Sequence, residues 1–167
     1  FILNWEHYEF TAGLDFQNYF KYIHDMAVKF STIGANIFIR RKIGWTNIDI
    51  FKKSASNLYR KEKIDNIVIS PDDISLEQFA INCDFVLYFQ GTSALPEIMS
   101  KGVPIINLRG KDSPVKIEDD YIVIPENISP RLTAEEIIEN ISNNSQWLNK
   151  LAETQKKWTF SQMKQSL

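Results

Sequence analysis

Short apolar runs and amphipathic segments alternate along the chain. Ile2–Trp5 reads as a short strand. Leu14, Tyr19, Tyr22, Ile23, Met26 and Phe30 recur at spacings of three to five, a stripe that predicts a helix ending near Phe30. Asn36–Ile39 predicts a second strand, ended by Arg40, Arg41 and Lys42. A helix over about 48–61 leads to a third strand at Asn66–Ile69. Ser75, with Gln78 three residues on, is a capping-box signature for a helix to about Asn82. Phe85–Phe89 is a continuous apolar run and predicts the fourth strand. A short helix over about 94–101 stops at Gly102, a C-terminal signal. Val103–Leu108 and Tyr121–Ile124 predict a fifth and a sixth strand. Thr133 with Glu136 is a second capping box, opening a helical tail to about 162. The polar run Asn140–Gln146 is able to bend or break that tail.

The strands near 67–69, 85–89 and 104–108 do not alternate apolar with polar, the signature of strands covered on both faces. With helices between them, they predict an α/β fold. Its sheet is expected to be parallel, doubly wound and Rossmann-like, with about six strands in the order 3-2-1-4-5-6. One domain is expected to span residues 1–167. Leu87–Gly91 reads LYFQG, like the end of a viral-protease cleavage tag. The residues before it are Phe85 and Val86, and the run lies inside a coherent mid-chain pattern, so it reads as native strand.

Composition narrows the function classes. Hydrophobic residues make up 44% and charged residues 24%, ordinary for a globular protein, and the net charge of −2 gives no global field for nucleic acid. No apolar run approaches the roughly 20 residues of a transmembrane helix. Cys83 is alone, which fits a reducing, cytoplasmic setting, and with only His7 and His24 beside it the chain offers a poor metal inventory. His7, in WEHYE, reads as a packed or capping group rather than as a base.

The candidate chemistry gathers after the fourth strand, in LYFQGTSALPEIMSKGVPIINLRG. Ligands of a parallel sheet bind beyond the carboxyl ends of its strands. Gly91, Thr92 and Ser93 sit at such an end, just before a helix, where backbone N–H groups favour an anion. The plain alternative is a strand–turn–helix join in which Ser93 is the N-cap. From Ser93 a capping box would need its acid at position 96, which is Pro96, so Glu97 is out of capping register. A carboxylate there is placed to accept hydrogen bonds from vicinal hydroxyls, or merely to stabilise the helix dipole.

The order strand, Gly-Thr-Ser, Glu97-Ile98-Met99-Ser100-Lys101-Gly102-Val103-Pro104, strand resembles the donor-nucleotide motif of GT-B glycosyltransferases of the capsule and lipopolysaccharide type. There the motif commonly reads Glu-Ala-Met-Ala-x-Gly-x-Pro. SLEQFAINCDFVLY resembles the family's lead-in to that motif, and ANIFIRRKIG its strand with basic residues. The resemblance implies that Glu97 binds the nucleotide ribose and that Gly91, Thr92 and Ser93 bind the diphosphate. It makes Arg40 and Lys42 candidates for charge neutralisation, with a solubilising strand end as the alternative. Ile69 and Ser70, which end the strand next to the phosphate-site strand, are implied to hold the base through backbone atoms. The implied ligand is a nucleotide-diphosphate sugar acting as substrate, with no cofactor and no metal. A GT-B enzyme has two such halves, so an acceptor-binding N-terminal domain is implied outside this chain, with any peripheral membrane association through it, and no catalytic residue is assigned.

Two rival readings stand beside this one. A UDP-N-acetylglucosamine 2-epimerase-like enzyme shares the fold type, and Leu108-Arg109 matches its pattern, but Ala94-Leu95-Pro96-Glu97 carries one acid where that family carries two. A non-catalytic nucleotide-binding or assembly domain would need the same core. No G-x-x-x-x-G-K-[ST] occurs, which excludes phosphoryl transfer of the P-loop type.

Overall fold

The structure is a computed structural model that describes residues 2–5, 25–41, 67–69, 74–88, 93–108 and 122–165. Its elements in chain order are β1 (Ile2–Trp5), α1 (described over 25–31), β2 (Ile37–Arg41), β3 (Ile67–Ile69), α2 (Leu76–Ala80), β4 (Val86–Tyr88), α3 (Ala94–Ser100), β5 (Ile105–Asn107), α4 (Ala134–Asn143) and α5 (Trp147–Gln165). The helix expected over 48–61 lies outside the described residues.

The five strands form one sheet in the order β3-β2-β1-β4-β5, and every pairing is parallel. Parallel neighbours need crossovers between them, so helices must lie against the faces of the sheet. Burial along the strands agrees. Val86, Tyr88 and Ile105 pack with Leu95, Ile98 and Met99 of α3 on one face. Leu87 and Ile106 alternate with them, point the other way and are equally buried, so both faces are covered. On that second face Phe30 of α1 meets Phe85, ring centroids 6.1 Å apart. An ion pair between Lys29 and Glu135 joins α1 to α4.

Two expectations are corrected. The sequence ends the second strand before Arg40, but β2 runs on through Arg40 and Arg41, which are in register with Asn4 and Trp5 of β1. Pairing with a neighbouring strand outweighs the preference of charged side chains for a strand end. The sixth strand at Tyr121–Ile124 does not form: residues 122–125 are irregular, and Tyr121 is outside the described set. The reason lies in the outer edge of β5. The buried side chain of Gln155, on α5, occupies the place a sixth strand would take. Its Oε1 accepts from the Ile105 amide at 2.8 Å, and its Nε2 donates to the carbonyls of Ile105 at 2.7 Å and Ile128 at 2.9 Å. Two residues on, the chain itself closes the edge: the Asn107 amide donates to Pro130 and the Leu132 amide to Asn107, with a one-residue bridge at Arg131. Ile124 still reaches the core, but from an irregular segment that turns at Pro125, whose carbonyl accepts from the amides of Ile128 and Ser129.

The helix boundaries follow local sequence. At α2, Ser75 Oγ accepts from the Gln78 amide at 3.1 Å while Gln78 Oε1 accepts from the Ser75 amide at 3.4 Å. At α4, Thr133 and Glu136 make the same reciprocal pair, at 3.2 and 2.7 Å. The helical tail is broken after Asn143, where Asn144 turns extended (φ −144°, ψ 94°) and its Oδ1 accepts from the Gln146 amide at 3.1 Å. α3 ends at Gly102, whose φ of +84° is a left-handed conformation that a side chain would strain.

Candidate functional site

In the order β3-β2-β1-β4-β5 the direction of strand addition reverses between β1 and β4. Beyond the carboxyl ends of such a pair the loops diverge and leave a crevice, the ordinary ligand position of a parallel sheet. β4 ends at Tyr88, and the chain re-enters the described structure at Ser93, directly before α3. Gly91 and Thr92, the other members of the expected turn, lie outside the described residues, as do Lys42 and Ser70.

α3 divides its side chains sharply. Leu95, Ile98 and Met99 are wholly buried against β4 and β5, whereas Ser93 and Glu97 are exposed. Pro96 sits in the first turn, where its missing N–H has no intrahelical partner to lose. Ser93 has helical dihedrals (φ −61°, ψ −20°), and its hydroxyl makes no capping hydrogen bond. An extended N-cap aims its oxygen at the amides of the first turn; a helical one does not. The N-cap alternative for Ser93 is therefore not what the geometry uses. Glu97 is not turned against the long C-terminal helix, and its carboxylate has no partner among the described residues.

The rest of the motif is absorbed by the fold. Gly102 supplies the left-handed residue that ends α3, Val103 is in the core, and the carbonyl of buried Pro104 accepts from the Val86 amide at 2.9 Å, starting the β4–β5 pairing. Of the segment from Glu97 to Pro104, the two charged side chains, Glu97 and Lys101, are exposed and have no partner among the described residues.

Strand register brings further residues to the same edge. Asn4 of β1 is aligned with Arg40 of β2 on one side and with Tyr88 of β4 on the other, and Tyr88 is aligned with Asn107 of β5. Arg40 thus belongs to a row that runs across four strands near their carboxyl ends. Ile69 does not. The sequence sets Ile69 and Ser70 beside the phosphate-site strand, but β3 is the outer strand, separated from β4 by β2 and β1. Neighbours in sequence are not neighbours in a sheet whose growth reverses direction.

Asn107 was not singled out by the sequence reading. It is 4% exposed, and its Oδ1 is buried with no hydrogen-bond partner among the described residues. The signal was an amide side chain inside the apolar run Val103–Leu108. Beside it, the Tyr88 hydroxyl donates to Ser129 Oγ at 3.0 Å, and Ser129 donates to the Ile105 carbonyl at 3.3 Å. Cys83 is half-buried, and burial pushes its thiol pKa up, away from a nucleophilic thiolate at neutral pH.

Among the described residues no three His, Cys, Asp or Glu side chains gather in a way that could hold a metal ion, and no helix is long and apolar enough to cross a membrane. Compared with models of known protein families and with curated proteins, the chain matches none.

Proposed function

We propose that the chain is the donor-nucleotide-binding half of a GT-B-type glycosyltransferase, taking a nucleotide-diphosphate sugar for transfer to a polysaccharide or glycolipid acceptor in the cytoplasm. One observation carries the reading. Glu97 and Ser93 are exposed on the first turn of α3, just beyond the carboxyl end of β4, where strand order reverses. The order β3-β2-β1-β4-β5, with helices over both faces, supports a doubly wound, Rossmann-like half.

In this reading each group has a separate task. The Glu97 carboxylate accepts hydrogen bonds from two vicinal ribose hydroxyls. The Ser93 hydroxyl, with Gly91 and Thr92 before it, meets the diphosphate. Arg40, which strand register puts in the row across β2, β1, β4 and β5, would offset its charge, as would Lys42, which follows it in sequence. Stabilising the leaving diphosphate by preorganised donors and positive charge is the electrostatic part of glycosyl transfer. The acceptor and the catalytic base belong to the other half.

The test is a titration of the chain with nucleoside diphosphates. Binding is expected on the order of 10 μM to 1 mM, since no second domain closes over the ligand. Glu97→Ala should weaken binding of a ribonucleotide by about 1–3 kcal/mol and leave a dideoxyribonucleotide, which lacks the vicinal hydroxyls, nearly unaffected. An equal loss for both ligands would show that Glu97 shapes the helix and does not read the sugar. No binding by UDP, GDP or CDP would leave an assembly domain.

A further inference from the structure

The long helix α5 has a second side that the donor reading does not use. Its inner side packs on α3, with Gln155 and Thr159 buried and Trp158 against the core. Its outer side carries Lys150, Lys157 and Lys164, seven residues apart and therefore nearly in line along the helix, over a length of about 21 Å. Lys156 flanks the row. Phe160 lies beside the row, and Met163 lies in line with Lys156 at its flank, each 47% exposed. Four lysines face one glutamate, Glu153, on this helix. Among the described residues none of the four is in an ion pair, although Glu153 lies within one turn of Lys150, Lys156 and Lys157.

The charge is local. The whole chain carries −2, and the neighbouring helix α4 carries Glu135, Glu136 and Glu139 with no basic residue. A row of unneutralised lysines on a chain that is acidic overall is a directional feature, not a general basicity. We propose that this face of α5 docks the protein on an anionic lipid surface. Lysines in line lie together on a flat array of anionic headgroups. The two exposed apolar side chains along the flank of the row suit the boundary of headgroup and acyl chain. A nucleic-acid duplex offers phosphates for the lysines, but its backbone gives Phe160 and Met163 no apolar counterpart. The other surface-exposed large apolar residues, Ile81 and Val123 among them, have no such basic neighbourhood on their own elements. Attachment through this patch alone is reversible, because one polybasic patch is a single signal.

Co-sedimentation of the chain with phosphatidylcholine vesicles, with and without one part in three of phosphatidylglycerol, tests this. Binding is expected to the anionic vesicles only, at about 50 mM salt, and to disappear at about 500 mM. The triple variant K150Q, K157Q, K164Q should lower the partition coefficient on the order of 100-fold, at about fivefold per lysine. Phe160→Ser should lower it several-fold without changing its salt dependence. Circular dichroism confirms that the variants fold, and the lipid and salt dependence of the unaltered chain stands without them. Equal binding to neutral vesicles, no binding of the unaltered chain, or an undiminished triple variant would each overturn the proposal. So would full displacement by a DNA duplex at equal phosphate concentration, which would make the face a nucleic-acid surface. No nucleotide is present, so a chain that fails the nucleoside diphosphate titration yet sediments with vesicles loses only the donor reading.

Discussion

The starts of α2 and α4 and the start of α3 solve the same problem differently. Each helix begins with amides that have no intrahelical acceptor. At α2 and α4 a Ser or Thr and a residue three further on bond each other's backbone, so both side chains are engaged locally. At α3 the hydroxyl of Ser93 makes no cap, and the acid comes one position too late to reach back. A seven-residue helix without a cap has no stability of its own in water. It persists because Leu95, Ile98 and Met99 are wholly buried and because Gly102 terminates it cleanly. Anchoring from below is what leaves the polar groups of its first turn facing outward. A helix held by its caps has no such groups to offer a ligand.

The contrast can be broken most directly at its base. If packing holds α3, Ile98→Ala should destabilise the protein by about 2–5 kcal/mol, read as a shift of the urea midpoint with unchanged slope. A loss under about 1 kcal/mol would mean that α3 is held some other way. Gln155→Ala comes next. It leaves the Ile105 amide and the Ile128 carbonyl buried without their partner, at about 1–3 kcal/mol for each such group, and a total of about 2–4 kcal/mol is expected. Amide hydrogen exchange should show the Ile105 amide opening first. Unchanged protection there would contradict the role given to Gln155 as the closure of the β5 edge.

These two residues also show where the sequence was readable. The capping boxes at Ser75 and Thr133 were legible because both partners of each reciprocal pair lie within four residues of sequence. The parallel sheet was legible because strands covered on both faces lose their alternation. The sixth strand was misread because apolar content at 121–124 records burial and not pairing. Ile124 is buried without being a strand, and the vacant edge was taken by a side chain 50 residues away from Ile105 in sequence. Nothing local in TQKKW marks Gln155 for that task. In the candidate site, the motif from Glu97 to Pro104 was legible as a unit, but which of its members were free was not. The fold uses Gly102 and Pro104 for termination and pairing. Setting Ile69 beside the phosphate-site strand conflicted with the strand order the sequence itself predicts, in which the third strand lies at the far edge of the sheet.

A smaller effect sharpens the comparison of helix starts. Thr133→Ala removes a cap that accepts from the Glu136 amide and should cost about 1 kcal/mol. Ser93→Ala removes a hydroxyl that caps nothing, so its cost to stability should stay within about 0.5 kcal/mol. Its cost should fall on nucleotide binding instead. Thermal melts of the two variants side by side decide this. Equal losses would mean that Ser93 supports the helix after all.

The smallest expected effect concerns the acids of the first turns. Glu135, in the first turn of α4, is held by Lys29 of α1, and the hydrogen bond from that lysine is the main reason its pKa lies below the ordinary glutamate value. A carboxylate whose pKa is depressed in the folded state adds stability above its unfolded value and loses it as pH falls through the folded one. The ordinary value is about 4.3, so the contribution should be complete near neutrality and fade below it. Both side chains are substantially exposed, 40% for Lys29 and 63% for Glu135, so water screens the pair and its worth should be under about 1 kcal/mol. Urea midpoints of the unaltered chain and of Lys29→Met, measured at pH 7 and again near pH 3, isolate the pair, since this change leaves the acid at the helix start in place. The variant should be slightly less stable at pH 7, and the gap should narrow toward pH 3 as Glu135 takes up its proton. A gap that persists unchanged at low pH would assign the effect to packing of the lysine stem. The link between α1 and α4 would then be apolar, and the Glu135 carboxylate would be held by the Thr133 hydroxyl and the backbone of its own first turn alone.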